Sequence, residues 1–451
     1  MDRVGRIGLI GALFLAVLAF GGTEPLYFSA VQLLLFGLGL FFLLAFGAQP
    51  RLRRPLPLAV PLLLVALVVL QLLPLSGLVG GHAQPAVDRA VIGSIAPYDT
   101  LSHLLLLMTY LSAFYLTLVV AQGRRAKRQL VYALVTLGTI VAVYGLVQHL
   151  TGWRALFPGS DKFIPQGASG PYVNRNHFAG FLEMIIPFCL ALAVTGFSRL
   201  RQPHSLDIRE QPDEDPFPKL VFWLFLGALL FTALVFSRSR MGLISSVVSV
   251  LIVIVLFATL TRRRRTEAVV AALVFLLVGV LMAVWIGPEP VLARFQLLET
   301  GAGGVVSRWA IWQDTLRLIQ QHPWLGTGLG TFPVAYPAVQ TVHLNRFVNH
   351  AHNDYLEVAS EIGVFGAVIL FGSVLYIFVA LVRRVGRNHD SISRATGIGA
   401  AGALAAILCH SLTDFNLYIP ANALLFSVVL SLGYLTSQPE SERHPSASLH
   451  E

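Results

Sequence analysis

Apolar residues occur along the chain in long runs, separated by polar connections. Twelve runs can be marked, at about 7–22, 26–46, 56–75, 101–120, 129–150, 178–197, 220–236, 241–260, 268–286, 362–382, 396–412 and 421–436. A helix needs roughly 20 apolar residues to cross a bilayer. Only helices and closed barrels satisfy their backbone groups in lipid, and continuous runs this long indicate helices. The pattern therefore predicts an all-α polytopic membrane protein with about twelve transmembrane helices.

The composition agrees with this prediction. Of 451 residues, 55% are hydrophobic and 12% are charged, whereas a soluble domain carries about 25% charged residues. Soluble globular, disordered and fibrous classes are thereby excluded. Arg3 and Arg6 precede the first run, and because no small-x-small cleavage site follows, we interpret that run as a retained span. Cys189 and Cys409 lie in apolar runs without metal-ligand spacing.

The basic residues are distributed unequally between the connections. Of the 32 Lys and Arg residues, 22 lie on one side of the predicted membrane and 10 on the other. Connections on the richer side alternate along the chain with connections on the poorer side. The richer side is the cytoplasmic one, so both termini are predicted to be cytoplasmic. Retention in the cytoplasm explains basic clusters such as Arg262–Arg265, and no nucleic-acid partner is needed. We divide the chain into a transmembrane domain, 1–436, and a polar cytoplasmic tail, 437–451.

The longest outer connection, 287–361, is expected to form a helical periplasmic insertion. Ser307 can cap a helix that opens at Arg308. The helix has an apolar stripe that suits the membrane interface, formed by Trp309, Trp312, Leu316 and Ile319. The glycine-rich segment 325–332 is interpreted as a connection, because no strand precedes it and no nucleotide-loop GK[ST] follows.

Two histidines lie near the end of this insertion. Asp354 and Glu357 have capping-box spacing, which predicts a helix start here. His352 then lies just before a helix N-terminus, whose positive end keeps an imidazole neutral and able to accept a proton. His350 and His352 together also resemble half of a metal site, but no third ligand has zinc-type spacing. A surface histidine without a special role is the simpler alternative.

Arginines at the outer face are the second group of candidates. Arg238 and Arg240 lie in the very short turn between the seventh and eighth runs, where a charge is costly and often functional. The alternative is that both side chains reach to lipid headgroups. Arg175 lies at the start of the sixth run, and the preceding residue, Asn174, is a plausible N-cap of the helix.

His410 and Asp414 form a third candidate group, one helical turn apart at the outer end of the eleventh run. A structural hydrogen bond between the two is favoured over a functional role. Because arginine forks match phosphate oxygens in pairs, several arginines and a neutral base at the outer leaflet suggest a lipid-linked phosphate or diphosphate as substrate.

The motifs resemble those of the bacterial O-antigen ligase and O-antigen polymerase superfamily. The ligase signature, His-Asn, nine residues and then Gly-x-x-Gly, matches His352-Asn353, Gly363 and Gly366. Further family-like stretches occur in the expected order at 169–187, 237–242, 307–332 and 410–425. The resemblance covers most of the chain.

This resemblance implies a GT-C-like fold in the bacterial inner membrane, among membrane lipids, with a periplasmic active site. It implies transfer of a glycan from undecaprenyl diphosphate to an acceptor hydroxyl, without a cofactor or metal. His352 would be the general base, and Arg240 and Arg308 would stabilise the diphosphate leaving group. The expected substrate-binding residues are Arg175, Arg238, His350, Asn353, Tyr355, Asn174, His410 and Asp414.

Several functions remain open from the sequence. A ligase, with lipid A–core as acceptor, is favoured because the signature fits. A polymerase of O-antigen or exopolysaccharide, which uses a second lipid-linked glycan, is the closest alternative, and a protein O-oligosaccharyltransferase is the third. A transporter or flippase is disfavoured, because transporters show two related halves and the insertion at 287–361 interrupts any such symmetry.

Overall fold

A computed structural model describes residues 2–46, 56–73, 93–153, 167–200, 216–260, 269–270, 273, 277, 281, 305–341, 347–388 and 390–438. Every regular element in these ranges is an α-helix or a short 3₁₀ turn. The helices are α1 Asp2–Leu18, α2 Pro25–Phe46, α3 Leu56–Leu72, α4 Pro97–Val120, α5 Arg124–Thr151, α6 Arg175–Leu200, α7 Pro216–Phe236, α8 Arg240–Leu260, α9 Val305–Gln321, α10 Phe332–Ala335, α11 Asp354–Arg384, α12 Ser391–His410 and α13 Pro420–Ser437.

The prediction of an all-α polytopic membrane protein is confirmed. Within the described ranges, nine helices are long and apolar enough to cross a membrane. Of the twelve predicted spans, the first and third correspond to the shorter helices α1 and α3. The ninth, 268–286, lies almost entirely outside the described residues, as does most of the predicted tail, 437–451.

Helix α6 forms the centre of the bundle, with 94% of its apolar window buried. It packs against α7, α8 and α12. Helix α12 is rich in small residues, and a Cβ on Gly399 would lie 2.5 Å from the Phe188 ring, while one on Gly402 would lie 2.7 Å from Pro187. Small residues allow helices to approach closely in a membrane, where no hydrophobic effect draws them together.

The helix ends form two groups at opposite ends of the bundle. At one end, Arg6 donates to the carbonyl of Val120, and Arg124 lies 3.4 Å from Asp390. At the other end, Tyr172 donates to Asn422 and the amide of Ala168 donates to the carbonyl of Phe236. This second end, here called the site end, carries the predicted functional residues, whereas the first carries the basic connections.

Helix α11 is kinked at Gly363, whose φ is +70°. The glycine-rich segment 325–332 packs into this kink: the amide of Thr327 donates to the carbonyl of Ser360, and the amide of Gly328 to that of Glu361. Left-handed φ values are readily adopted only by glycine, and a Cβ on Gly363 would collide with the carbonyl of Trp324. The segment 325–332, which was interpreted from the sequence as a connection, is therefore also a packing partner of α11.

Candidate active site

The buried carboxylate of Asp414 is the point at which the site converges. It lies in the turn between α12 and α13 and is 1% exposed. Asn176 donates to Oδ2 over 2.7 Å, and the Nε2 atom of His177 lies 3.7 Å from Oδ1. Both partners belong to the first turn of α6, so the α12–α13 turn is held against the start of the central helix.

Two residues expected to be catalytic, Arg308 and His352, also meet this carboxylate. The guanidinium of Arg308 lies 3.9 Å from Oδ2 of Asp414, and Nδ1 of His352 lies 3.6 Å from Oδ1. Both side chains keep about a third of their surface exposed, 33% and 29%. The structure therefore brings together an arginine and a histidine that are 44 positions apart in the sequence, and leaves both accessible.

The environment of Asp414 favours its ionised form. Burial by itself raises the pKa of this carboxyl, but the close contacts with His177 and His352 and the nearby imidazole charges outweigh burial. The net result is a pKa well below the usual range of an aspartate. An ionised Asp414 can hold Nδ1 of His352 as the protonated ring nitrogen, which leaves Nε2 to accept a proton.

His352 has an unusual backbone conformation. Its φ is +53°, in the left-handed region, and among the described non-glycine residues only Phe20 and Arg238 share this property. Such a conformation costs of the order of 1–3 kcal/mol and persists where the surroundings enforce it. Trp312 of α9 contributes, because its indole nitrogen donates to the carbonyl of Ala351 over 3.0 Å.

His350 occupies a different environment from His352. Its Nδ1 atom lies 2.7 Å from Glu357, and its ring stacks on Phe415 with centroids 3.9 Å apart. Burial lowers the pKa of His350 to about 4, although the carboxyls of Glu361 and Asp414 act in the opposite direction. His350 is therefore neutral at physiological pH and is fixed by Glu357, which favours a role in shaping the site.

The first turns of α11 carry three buried acidic residues that anchor loops. Asp354 accepts from Ser411 over 2.6 Å, Glu357 accepts from the amide of Ala351 over 2.7 Å, and Glu361 accepts from Tyr418 over 2.7 Å. Because they lie three and four residues apart, they share one helix face. That face holds the His352 loop and the α12–α13 turn in place.

The arginines of the α7–α8 turn lie at the same end of the bundle. Arg240 begins α8, as Arg175 begins α6. A Cβ on Gly242 would lie 2.7 Å from that of Ala179, so the first turns of α6 and α8 touch. Arg308 contacts Asp414 directly. Arg240 begins a helix that packs against α6, and α6 in turn contacts Asp414 through Asn176.

The structure places several of the expected substrate-binding residues inside the protein. His410 is fully buried and contacts Glu183 over 3.0 Å, and the expected hydrogen bond to Asp414 is absent from the described contacts. The reason is that α12 ends at His410, so residues 411–414 leave the helical path. Asp414 is likewise buried and holds side chains of the protein.

Asn353, Tyr355 and Asn174 use their polar groups within the protein. Asn353 is the N-cap of α11, accepting from two backbone amides, and it replaces the predicted capping box at Asp354. The hydroxyl of Tyr355 donates to the carbonyl of Leu408, and Asn174 accepts from the amide of Asn176. These three residues therefore stabilise the loops around the site.

Helix α9 also differs from its prediction. It begins at Val305, two residues before the expected cap Ser307. Ile311 and Leu318 are its buried apolar residues and belong to a small apolar cluster of the insertion, while Trp309 and Leu316 of the predicted stripe are exposed. The predicted stripe is therefore divided: Trp309 and Leu316 face outward, whereas Trp312 and Ile319 are half-buried and Trp312 donates to the carbonyl of Ala351.

Three residues of the site, Asn176, His177 and Glu183, were not among the candidates from the sequence, and Asn176 donates to Asp414. His177 reaches Asp414, and Glu183 pairs with His410. Glu183 had a usable signal, because an acidic residue inside the apolar run 178–197 is costly in a membrane and is usually functional. His177 lies in the family-like stretch 169–187, but its position beside Asp414 depends on tertiary packing and was not predicted.

An apolar groove leads away from the site between α3, α4, α11 and α13. It has a volume of about 250 Å³. The ring of Tyr418 lines the groove and also lies 5.5 Å from that of His350, so the groove begins at the site. Its other walls include Leu107, Phe114, Leu370, Ile377 and Phe426. Among the described residues, no group of three or more His, Cys, Asp or Glu side chains is arranged to hold a metal ion.

Comparison with known proteins agrees with the resemblance seen in the sequence. Residues 225–371 match the family model described as O-antigen ligase. The matched region includes the α7–α8 turn, α9, the glycine-rich segment and His352, and it ends within α11. No curated protein shows a significant sequence match to the chain.

Proposed function

We propose that this chain, a multi-pass membrane protein of the O-antigen ligase superfamily, transfers a glycan from a polyprenyl-diphosphate carrier to an acceptor hydroxyl at the periplasmic face of the bacterial inner membrane. The observation that carries the proposal is the pairing of Arg308 and His352 on the two oxygens of one buried carboxylate, Asp414. This arrangement supplies a cation and a base side by side.

His352 acts as the general base in this proposal. Its Nε2 takes the proton of the acceptor hydroxyl while the oxygen attacks the anomeric carbon of the donor glycan. Asp414 holds the ring and compensates the charge that it gains. General-base catalysis of this kind contributes about 10²–10⁴ in rate. A single displacement inverts the configuration at the anomeric carbon.

Arg308 and Arg240 act on the leaving group. As the bond between the anomeric carbon and the diphosphate oxygen breaks, negative charge grows on the diphosphate. Fixed cationic donors lower the energy of such a charge in the transition state. Arg308 lies beside the base, and Arg240 starts a neighbouring helix at the same end. Arg175 and Arg238, at the same end, are proposed to bind the outer phosphate or the first sugars.

The apolar groove is proposed to receive part of a substrate's lipid chain. It is lined mainly by aliphatic and aromatic side chains and begins beside His350 and Tyr418. A polyprenyl chain can pack against these apolar walls as it does against lipid tails, while its diphosphate remains at the polar end. The apolar lining of the groove therefore supports a lipid-linked substrate more than a free sugar nucleotide.

The most direct test uses purified protein in lipid nanodiscs, with undecaprenyl-diphosphate glycan as donor, no nucleotide and a metal chelator present. Addition of lipid A–core should yield a glycan-extended product if the protein is the favoured ligase. Elongation of the lipid-linked glycan without that acceptor would instead identify the alternative, a polymerase. Movement of the donor across the bilayer without a new glycosidic bond would contradict both and support a transporter.

A further inference from the structure

Glu183 and His410 form an acidic–basic pair in the interior of the bundle. Neither side chain has exposed surface, and His410 Nδ1 lies 3.0 Å from Oε2 and 3.1 Å from Oε1 of Glu183. Glu183 belongs to α6, inside a predicted membrane span. Ionisable residues in such surroundings are costly and usually have a function, and the proposed reaction does not use either one directly.

The pair contacts one end of the turn that carries Asp414. His410 is the last residue of α12, and Asp414 follows four positions later. Nε2 of His410 is buried and has no hydrogen-bond partner among the described residues. The contact with Glu183 is therefore the hydrogen bond that sets the orientation of this ring and of the helix end that bears it.

The N-terminal residues of α6 hold the other end of the segment 411–414. Asn176 donates to Asp414, and His177 lies beside it. Between the two attachments, Ser411 donates to Asp354 and the carbonyl of Leu412 accepts from Asn353. The turn 411–414 is thus fixed to α6 at both ends and to the start of α11 in the middle.

We infer that Glu183 is a positioning residue of the active site, which acts through His410 to hold the turn 411–414 so that Asp414 faces His352 and Arg308. The inference rests on the proposed glycan transfer only for its effect on rate. The proposed fixing of the turn 411–414 by Glu183 can be tested without any substrate, by measuring hydrogen exchange of its backbone amides.

The experiment compares two substitutions of similar size. Glu183→Gln keeps an oxygen that accepts from His410, whereas Glu183→Leu removes the acceptor and leaves an apolar side chain that the membrane tolerates. Thr232→Val is the matched control, because Thr232 is a buried polar residue that donates only within its own helix, to Ala228, in the described contacts. All variants are purified in nanodiscs and compared per folded molecule.

Glu183→Leu is expected to lower kcat by about 10²-fold, the scale of a small displacement of reacting groups, while KM for the donor stays unchanged. Glu183→Gln and Thr232→Val should keep kcat close to that of the unaltered protein. In parallel, hydrogen–deuterium exchange should rise in 411–419 and 350–353 of Glu183→Leu, and remain unchanged in 391–405.

Two results would overturn the inference. The first is unaltered exchange in 411–419 and 350–353 of Glu183→Leu, and the second is equal loss of kcat in the Gln and Leu variants. If the unaltered protein transfers no glycan, the proposed function fails, but the exchange measurement still decides whether Glu183 positions the turn.

Discussion

At the scale of single residues, Asp414 determines what the neighbouring side chains can do. It is acceptor to Asn176, is flanked by His177 and His352, and lies near the guanidinium of Arg308. A buried carboxylate needs such partners, because an uncompensated charge in the interior is costly. Two of these partners, His352 and Arg308, are also proposed to act on substrate, so the proposed catalysis depends on the same group that the fold must stabilise.

The low pKa of Asp414 predicts a pH-dependent contribution to stability. Burial opposes ionisation, but the contacts with His177 and His352 prevail and lower the pKa in the folded protein. A lowered folded-state pKa stabilises the fold above the unfolded value of about 3.9, and the stabilisation is lost as the pH falls through the folded value. Asp414→Asn should therefore lower the unfolding midpoint at pH 7, with a smaller difference from the unaltered protein below about pH 4. Thermal unfolding in detergent measures this, and a difference that grows on acidification would contradict it.

The sequence proposed individual site residues where a motif contained them. His352 and Arg308 lie in family-like stretches, and the structure joins both to Asp414. The sequence did not assign their partners, because His177 and Glu183 reach the turn only through the packing of α6 on α12. Exposure also depends on packing, which is why His410 was expected at the surface and is buried.

At the scale of elements, the kink in α11 links the site to the rest of the insertion. Gly363 allows the helix to change direction, and the glycine-rich segment fills the space with backbone contacts to Ser360 and Glu361. Glu361 in turn accepts from the amide of Phe332, where α10 begins. The two glycines of the signature are thereby explained at least in part: Gly363 permits the kink, and a Cβ on Gly366 would lie 2.7 Å from Leu67 of α3.

A pair of substitutions in α11 tests this role of the kink. Gly363→Ala places a Cβ against the carbonyl of Trp324 at a left-handed φ, so it should destabilise the protein by at least about 1–3 kcal/mol. Gly372→Ala is the control, because nothing lies within 4 Å of its added Cβ, and it should be neutral or stabilise by up to about 1 kcal/mol. Thermal unfolding of the two variants gives the comparison, and equal midpoints would show that the kink is not required.

Helix positions were predictable from the sequence, and helix ends were less so. The apolar runs predicted the spans because only apolar side chains are stable in the hydrocarbon core of the bilayer. Helix α5, however, begins at Arg124, five residues before its apolar run at 129–150. Charged residues at a membrane surface continue a helix without interrupting its hydrogen bonds, so hydropathy does not detect them. The kink at Gly363 was also not predicted, because a glycine within an apolar run is compatible with a straight helix.

At the scale of the whole molecule, the two ends of the bundle differ in chemistry. One end carries basic residues such as Arg6, Arg124 and Lys127, bonded to carbonyls, a carboxylate or a serine of neighbouring helices. The other end carries Asp414, the histidines and the mouth of the apolar groove. The distribution of Lys and Arg predicts that the basic end faces the cytoplasm, so the site end is proposed to face the periplasm.

Single cysteines at the two ends test this orientation. Tyr98 at the site end is 81% exposed, and Arg125 at the basic end is also exposed. In a background with Cys409→Ser, Tyr98→Cys should react with a membrane-impermeant maleimide in intact spheroplasts. Arg125→Cys should react only after the membrane is opened. The reverse pattern would place the site in the cytoplasm and contradict the proposed periplasmic transfer.

The central claim, that His352 beside Asp414 is the base, is tested most directly by comparing transfer rates of His352→Asn and His350→Asn in the same nanodiscs. Asparagine can replace the Nδ1 contact of either histidine, and it tolerates a left-handed φ, but it cannot accept a proton. His352→Asn should lose about 10²–10⁴ in kcat, while His350→Asn should retain most of its rate. Equal losses, or a greater loss at His350, would contradict it.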